Sequence, residues 1–321
     1  MAEWRTLAAD DVRAILQSFG IGGYRAHFSI PVGTINTNLK VETDAGLLFL
    51  RVNEGKSLDD VTREAAIVAH VSARGVPTPA PRRAPAGQPF GLWRDQIVSL
   101  FEWVPGRALS RAHVTPAHAV AVGAALGTLH RSSADFPDRR PGRYEPDEID
   151  RRLARVVALG RPELAEAVAI LKPEIERLAR DRAPDLPTGI IHGDLFIDNV
   201  LFRDDGALAA LIDFEQASWG RLAYDLAVTV LAFGFGRDDF RADIVRALVG
   251  AYVAERQPTG QERVAFGAEL RFAACRFAIT RITDVHLKRE AGAAPGKRYQ
   301  RYLDRLASVQ RHLAADSLFS I

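Results

Sequence analysis

The stretch Ile190–Glu215, "IIHGDLFIDNVLFRDDGALAALIDFE", sets His192, Asp194, Asn199 and Asp213 around two apolar runs that meet at Asp205-Gly206. Asp-Gly between apolar runs is a strong signal for a two-residue hairpin turn. With those two residues at the turn, counting outward sets Asn199 across from Ile212, one position from Asp213. Directly opposed strand residues lie roughly 5 Å apart. An amide oxygen and a carboxylate so placed suit a hard, oxygen-seeking cation such as Mg2+. Asp194, five residues before Asn199 in the loop entering the hairpin, is a candidate base or hydroxyl-orienting group. His192 reads as a loop brace that bonds backbone groups. Any one of these is explained by the preference of Asp and Asn for turns, but the set has the spacing of a phosphotransfer template.

"HGDLFIDN" followed by "IDFE" resembles the catalytic and metal-binding loops of the aminoglycoside phosphotransferase and choline kinase group, which shares the protein-kinase-like fold. Gly193 stands where protein kinases carry Arg, and Glu215 where they carry the last Gly of Asp-Phe-Gly. Both replacements are typical of the small-molecule kinases. The resemblance implies that Asp194 is the catalytic Asp and that Asn199 and Asp213 hold Mg2+. It also implies that Asp225, in "AYDLA" at the start of an apolar helix, braces the catalytic loop; by residue type alone Asp225 is a helix cap.

Such a kinase needs a cation on the phosphates of ATP, usually a strand Lys paired with a helix Glu. The strand "LLFLRV" offers Arg51. On the helix that starts at Ser57, Glu64 shares the apolar stripe of Val61, Val68 and Val71, so its carboxylate needs a partner. Arg51 is the natural one; Arg keeps the charge of the usual Lys but changes the geometry. Lys56 and Lys40 stay open as alternative phosphate contacts. "SIPVGTINTN" is expected to lie over the phosphates, with Gly33, Thr34, Asn36 or backbone N–H groups toward them, although one glycine does not make a Gly-x-Gly-x-x-Gly loop. "SLFEWV" reads as the hinge strand, where backbone groups of Phe101–Trp103 would bond adenine.

A wider ordered set, "GTINTN", "HVSARGVPTPAP", "VSLFEWVPG", "GAALGTLHRSSADFP", "IIHGDLFIDNVLF", "YDLAVTVLAF" and "RFAITRITD", resembles the bacterial homoserine kinases of the phosphotransferase-like type. It implies transfer from ATP to L-homoserine, giving O-phospho-L-homoserine on the way to threonine. A small zwitterion needs a cation for its carboxylate and oxygens for its ammonium. Asp198 is a candidate for the ammonium and Arg281 for the carboxylate. Arg281 and Asp284 are also three apart on one helix, as an ordinary ion pair would be. The alternatives are a kinase for another small alcohol (an aminoglycoside, choline or a sugar-like metabolite) and a silent ATP-binding scaffold. An aminoglycoside site should be acidic, whereas the carboxy-terminal helices are rich in Arg. A protein kinase is disfavoured, because Asp213 and Asp225 are only twelve residues apart, which leaves little room for a peptide platform.

At 321 residues the chain exceeds the usual size of a single core. A net charge of +2, with Arg interspersed among Asp and Glu, argues against a nucleic-acid surface. The apolar stretches are too short to span a bilayer, so no membrane association is expected. Cys275 is the only cysteine, which excludes an intrachain disulfide and fits a reducing cytoplasm. The expected fold class is α+β, a protein-kinase-like two-lobe fold. Residues 1–103 form a nucleotide-binding lobe, a small antiparallel sheet with one helix on it. Residues 104–321 form a mainly helical lobe that carries the catalytic hairpin and binds the acceptor.

Overall fold

The computed structural model describes residues 6–30, 36–288, 298–315, 318, 319 and 321. The chain divides into two compact units: Met1–Gly106 with Ala209–Glu215, and Arg107–Leu208 with Gln216–Ile321. The segment that carries Asp213 and Glu215 therefore clusters with the amino-terminal unit.

The first unit is built from α1 (Ala9–Ser18), β1 (Tyr24–Ser29), β2 (Thr37–Thr43), β3 (Gly46–Val52), α2 (Leu58–Ser72), β4 (Gly91–Trp93) and β5 (Gln96–Glu102). The strands form one antiparallel sheet in the order β1-β2-β3-β5-β4. Alternate residues of a strand face opposite sides. Leu48, Leu50 and Val52 join Leu39, Val41, Val98 and Leu100 in a core that Val12, Ile15, Leu16 and Phe19 of α1 complete. Arg51, opposed to Asn38 and Ser99 in register, therefore projects from the other face. Helix α2 is the one helix expected on the sheet; α1 adds a second. Ser57 starts α2: its Oγ accepts from the Asp60 amide at 3.1 Å, and the Asp60 carboxylate accepts from the Ser57 amide at 3.1 Å. This reciprocal cap satisfies two amides that a helix start leaves bare. Strand β4 was not legible: its turn to β5 lacks glycine, and Arg94 takes a positive φ of 54° there.

The second unit holds α3 (Pro116–Arg131), α4 (Pro146–Ala158), α5 (Ala165–Asp181), β6 (Thr188–Ile191), β7 (Val200–Phe202), β9 (Ser218–Arg221), α6 (Leu222–Phe233), α7 (Ala242–Glu255), α8 (Gly260–Arg281) and α9 (Gln300–Ala314). Every residue of α6 is buried, as its all-round apolarity requires. Strands β6 and β9 pair antiparallel, Ile191 opposite Ser218, and bracket the loop that begins at His192.

β7 runs into the turn that precedes β8 (Leu208–Leu211). The Gly206 amide donates to the Arg203 carbonyl at 3.0 Å, and the Arg203 amide donates to the Ala207 carbonyl at 2.9 Å. The turn thus has three residues, Asp204, Asp205 and Gly206, with Gly206 at φ 83°. It is a type I turn closed by a left-handed glycine, not the two-residue turn expected from Asp-Gly, and the register counted from the sequence is off by one.

Helices α3 and α7 approach closely at two glycines one turn apart. A Cβ on Gly123 would collide with the Leu248 carbonyl oxygen, and one on Gly127 would lie 2.5 Å from the Glu255 Cβ. Gly123→Ala is expected to force the helices apart at a cost of ~2 kcal/mol, lowering the midpoint of thermal unfolding by ~5 °C, readable by circular dichroism.

Candidate active site

In the second unit, β6 delivers the loop "HGDLFIDN". Leu195 and Ile197 are buried and anchor it, while Asp194 keeps 28% of its side chain exposed. The Asp194 carbonyl accepts from the Asn199 Nδ2 at 2.8 Å and from the Phe196 amide at 2.8 Å. Asn199 thereby closes the loop on Asp194 and keeps its amide oxygen for another partner. Gly193 has a φ of 73° and lies so close to the Gln216 carbonyl that a Cβ would stand 3.0 Å from it. Sterics alone thus favour glycine where protein kinases carry Arg.

Asp225, in the first turn of α6, is fully buried. Its two oxygens accept from the consecutive amides of His192 and Gly193, each at 2.8 Å, and from the Nε2 of His130 at 3.1 Å. Burial alone would raise its carboxyl. The bonds from His130 and the loop outweigh that and hold it below the ordinary carboxylate value. His130 is itself fully buried, and burial pushes its pKa down despite Asp225. The neutral ring donates from Nε2 to Asp225 and accepts at Nδ1 from the Tyr252 hydroxyl at 2.9 Å. Arg256 donates to the Tyr252 oxygen at 3.0 Å and pairs with the buried Glu262 at 2.8 Å. His130 lies in "GAALGTLHRSSADFP" but is not among the residues expected from the sequence, because a histidine on an apolar helix gives no local sign of its partner.

Asp198 is exposed. Arg281 lies over the Tyr302 ring at 4.3 Å and donates to the Arg298 carbonyl at 3.4 Å. Burial lowers its pKa, while Asp194 is among the groups that raise it. Asp284 pairs with Arg152 at 2.7 Å, with no ion pair to Arg281 among the described residues. The reason is a π-helical turn over Ile282–His286, which breaks the spacing on which an i,i+3 pair depends.

The first unit holds a second cluster. Arg51 Nη1 lies 3.2 Å from Glu64 Oε1, and Nη2 lies 3.4 Å from Asp213 Oδ1. Lys56 Nζ is 2.8 Å from the other Glu64 oxygen and 3.4 Å from Glu215, and Asn36 donates to Glu215 at 3.4 Å. Burial opposes the charge of Arg51, but Asp213, Glu64 and Glu215 outweigh it and hold the guanidinium more firmly protonated than usual. Asp213 sits at φ 65°, a left-handed conformation that Asp tolerates but that a side chain adopts at a cost. Three carboxylates against two cations leave an excess of oxygen donors, chemistry that fits a divalent cation arriving with a polyphosphate. Gly33 and Thr34 lie outside the described residues. Phe101 pairs with Phe49 in the sheet. The Trp103 amide donates to the Leu47 carbonyl at 3.1 Å, so an adenine contact from Trp103 would come from its carbonyl.

Residues 29–266 match the model of the phosphotransferase enzyme family. The chain belongs to that family. It is 34% identical over 297 residues to a homoserine kinase of Nitrobacter hamburgensis, which covers 88% of this chain and 87% of that protein. It is 32% identical to one of Rhodopseudomonas palustris, again over 88% and 87%. The fold is similar to that of an aminoglycoside phosphotransferase of Alicyclobacillus acidocaldarius, with a TM-score of 0.70 at 16% identity over 97% of this chain and 96% of that one. It is also similar to that of a microcompartment-associated aminopropanol kinase, with a TM-score of 0.67 at 18% identity over 97% and 99%. The protein is a small-molecule phosphotransferase of protein-kinase-like fold. No helix among the described residues is long and apolar enough to cross a membrane.

The buried pair makes stability depend on acid. His130 and Asp225 both have depressed folded-state pKa values, so the unfolded chain binds more protons below the ordinary histidine value of 6.5. The stabilisation is full above that value and is lost as pH falls. The charged groups that face the ring are Asp225 on α6, Arg256 at the cap that ends α7 and Glu262 on α8. His130→Gln is expected to shrink the drop in urea midpoint between pH 7 and pH 5, measured by tryptophan fluorescence.

Proposed function

We propose that the protein transfers the γ-phosphate of ATP to the side-chain hydroxyl of L-homoserine, giving O-phospho-L-homoserine. The observation that carries this reading is the match to homoserine kinases over 88% of the chain, whose sequence carries Asp194, Asn199 and Asp213 at the template spacing. Asp194 presents its carboxylate from a loop whose backbone is fixed by Asp225, so it orients the acceptor hydroxyl and takes its proton as the new O–P bond forms and the bond to the β-phosphate oxygen breaks. Asn199 and Asp213 would hold Mg2+, which when bound neutralises charge on the phosphates. Arg51 and Lys56, both positioned by Glu64, are the cations for the phosphate tail, Glu64 acting through them. Asn36 and the backbone of Phe101–Trp103 complete the nucleotide contacts. Asp198 is the candidate for the acceptor ammonium. Buried, unpaired Cys275 suits a reducing cytoplasm.

The test is ADP release with Mg-ATP and a panel of L-homoserine, L-serine, L-threonine, choline and kanamycin. Turnover is expected on L-homoserine, falling ~1,000-fold in kcat in Asp194→Asn; turnover confined to another acceptor would overturn the substrate. Glu64→Gln leaves Arg51 and Lys56 without their shared carboxylate and is expected to raise the KM for Mg-ATP ~10-fold, about 1.4 kcal/mol, in initial-rate measurements at saturating acceptor.

A further inference from the structure

Arg276 on α8 is 3% exposed, yet among the described residues its one ion pair is with Asp194, at 3.8 Å. Its guanidinium is held between the rings of Tyr144, at 4.1 Å, and Phe277, at 3.7 Å. The Nε is buried without a hydrogen-bond partner. Leaving a charged donor buried without a hydrogen bond is costly, and the Asp194 carboxylate, at 3.8 Å, is too distant to supply one.

The surroundings identify the partner's charge. Arg276 lines a cavity of about 40 Å³ together with Gly193, Arg143, Arg182 and Arg221. The only carboxylate among the lining residues is that of Glu145, which is exposed. Arg182 and Arg221 share the buried Glu269, at 2.6 and 3.0 Å, but one Arg182 nitrogen, Nη1, is also buried without a partner. Four arginines, two of them with a buried unpaired nitrogen, line a space larger than the ~15 Å³ a water needs. That is room for a carboxylate and not for a whole amino acid. Gly193 in its wall is the residue before Asp194.

We infer that Arg276, with the basic cavity behind it, is the subsite for the carboxylate of the acceptor, so that the enzyme selects hydroxy amino acids over amino alcohols. This rests on the reading of Asp194 as the group that meets the acceptor hydroxyl. Arg276 Nη1 is 3.8 Å from Asp194, so a short hydroxy acid whose hydroxyl meets Asp194 would have its carboxylate beside the Arg276 fork, where a charge-assisted hydrogen bond can form. Arg281, the earlier candidate for this role, already has the Tyr302 ring and the Arg298 carbonyl, whereas Arg276 has no hydrogen bond at all among the described residues.

The experiment compares L-homoserine with 3-aminopropan-1-ol, the same amino alcohol without the carboxylate, as acceptors. The wild type should favour L-homoserine by ~100-fold or more in kcat/KM, about 2.8 kcal/mol. Arg276→Gln should raise the KM for L-homoserine and collapse that preference toward one, with Arg276→Lys between the two because an ammonium keeps the charge but not the fork. Calorimetry with L-2-aminobutyrate, which has the carboxylate but no hydroxyl, should show binding to the wild type and none to Arg276→Gln. A wild-type preference near one, or an unchanged preference in a folded Arg276→Gln, overturns the inference. Should L-homoserine not be turned over at all, the proposed function falls, and L-2-aminobutyrate still reads the subsite: binding that needs Arg276 supports it, and binding that is absent or indifferent to Arg276 overturns it.

Discussion

The buried carboxylate of Asp225 is the constraint on which the loop that begins at His192 depends. A charge with no exposure is tolerated only when its lone pairs are used. Here the donors are two consecutive loop amides and one imidazole. Because the amides belong to His192 and Gly193, the carboxylate fixes the direction in which the chain enters Asp194. The positive φ of Gly193 then turns the backbone so that Asp194 points outward while Leu195 returns to the core. The Asp194 side chain stays part-exposed above a backbone that is fixed.

The brace is itself braced. His130 can hold Asp225 only through a tautomer with hydrogen on Nε2, and the Tyr252 hydroxyl at Nδ1 selects that tautomer. Arg256 and Glu262 extend the chain of bonds into α7 and α8. The close approach of α3 and α7 at Gly123 and Gly127 allows His130 and Tyr252 to meet. Two glycines that carry no chemistry thus help to place a histidine that supports a loop two elements away.

The other cluster uses a different device. Arg51 projects from a sheet face by strand alternation, and Glu64 meets it from an apolar helix stripe. Sharing Glu64 between Arg51 and Lys56 holds two cations in place with one carboxylate. That pairing was legible, since a lone Glu on an apolar stripe demands a cation and "LLFLRV" supplies one at the right distance along the chain. The hairpin was legible as a hairpin, but its register was not. Asp-Gly ends both two- and three-residue turns, and only the bond from the Gly206 amide to the Arg203 carbonyl distinguishes them. The Arg281–Asp284 spacing misled because a π-helical turn is invisible to a 3.6-residue count.

By itself the sequence carried the candidate set: Asp194, Asn199 and Asp213 lie close along the chain, at the spacing of a phosphotransfer template. Period-two and period-3.6 patterns, being local properties, also marked a sheet-bearing stretch followed by a helical one, whereas the grouping of Ala209–Glu215 with the first unit is not local. The tertiary structure alone decided what surrounds those groups. His130 reaches Asp225 across 95 residues of sequence, and Arg276 reaches Asp194 across more than 80. No pattern records such distances. Burial, which makes a carboxylate depend on its donors and leaves a guanidinium waiting for an anion, arises only when the helices have packed.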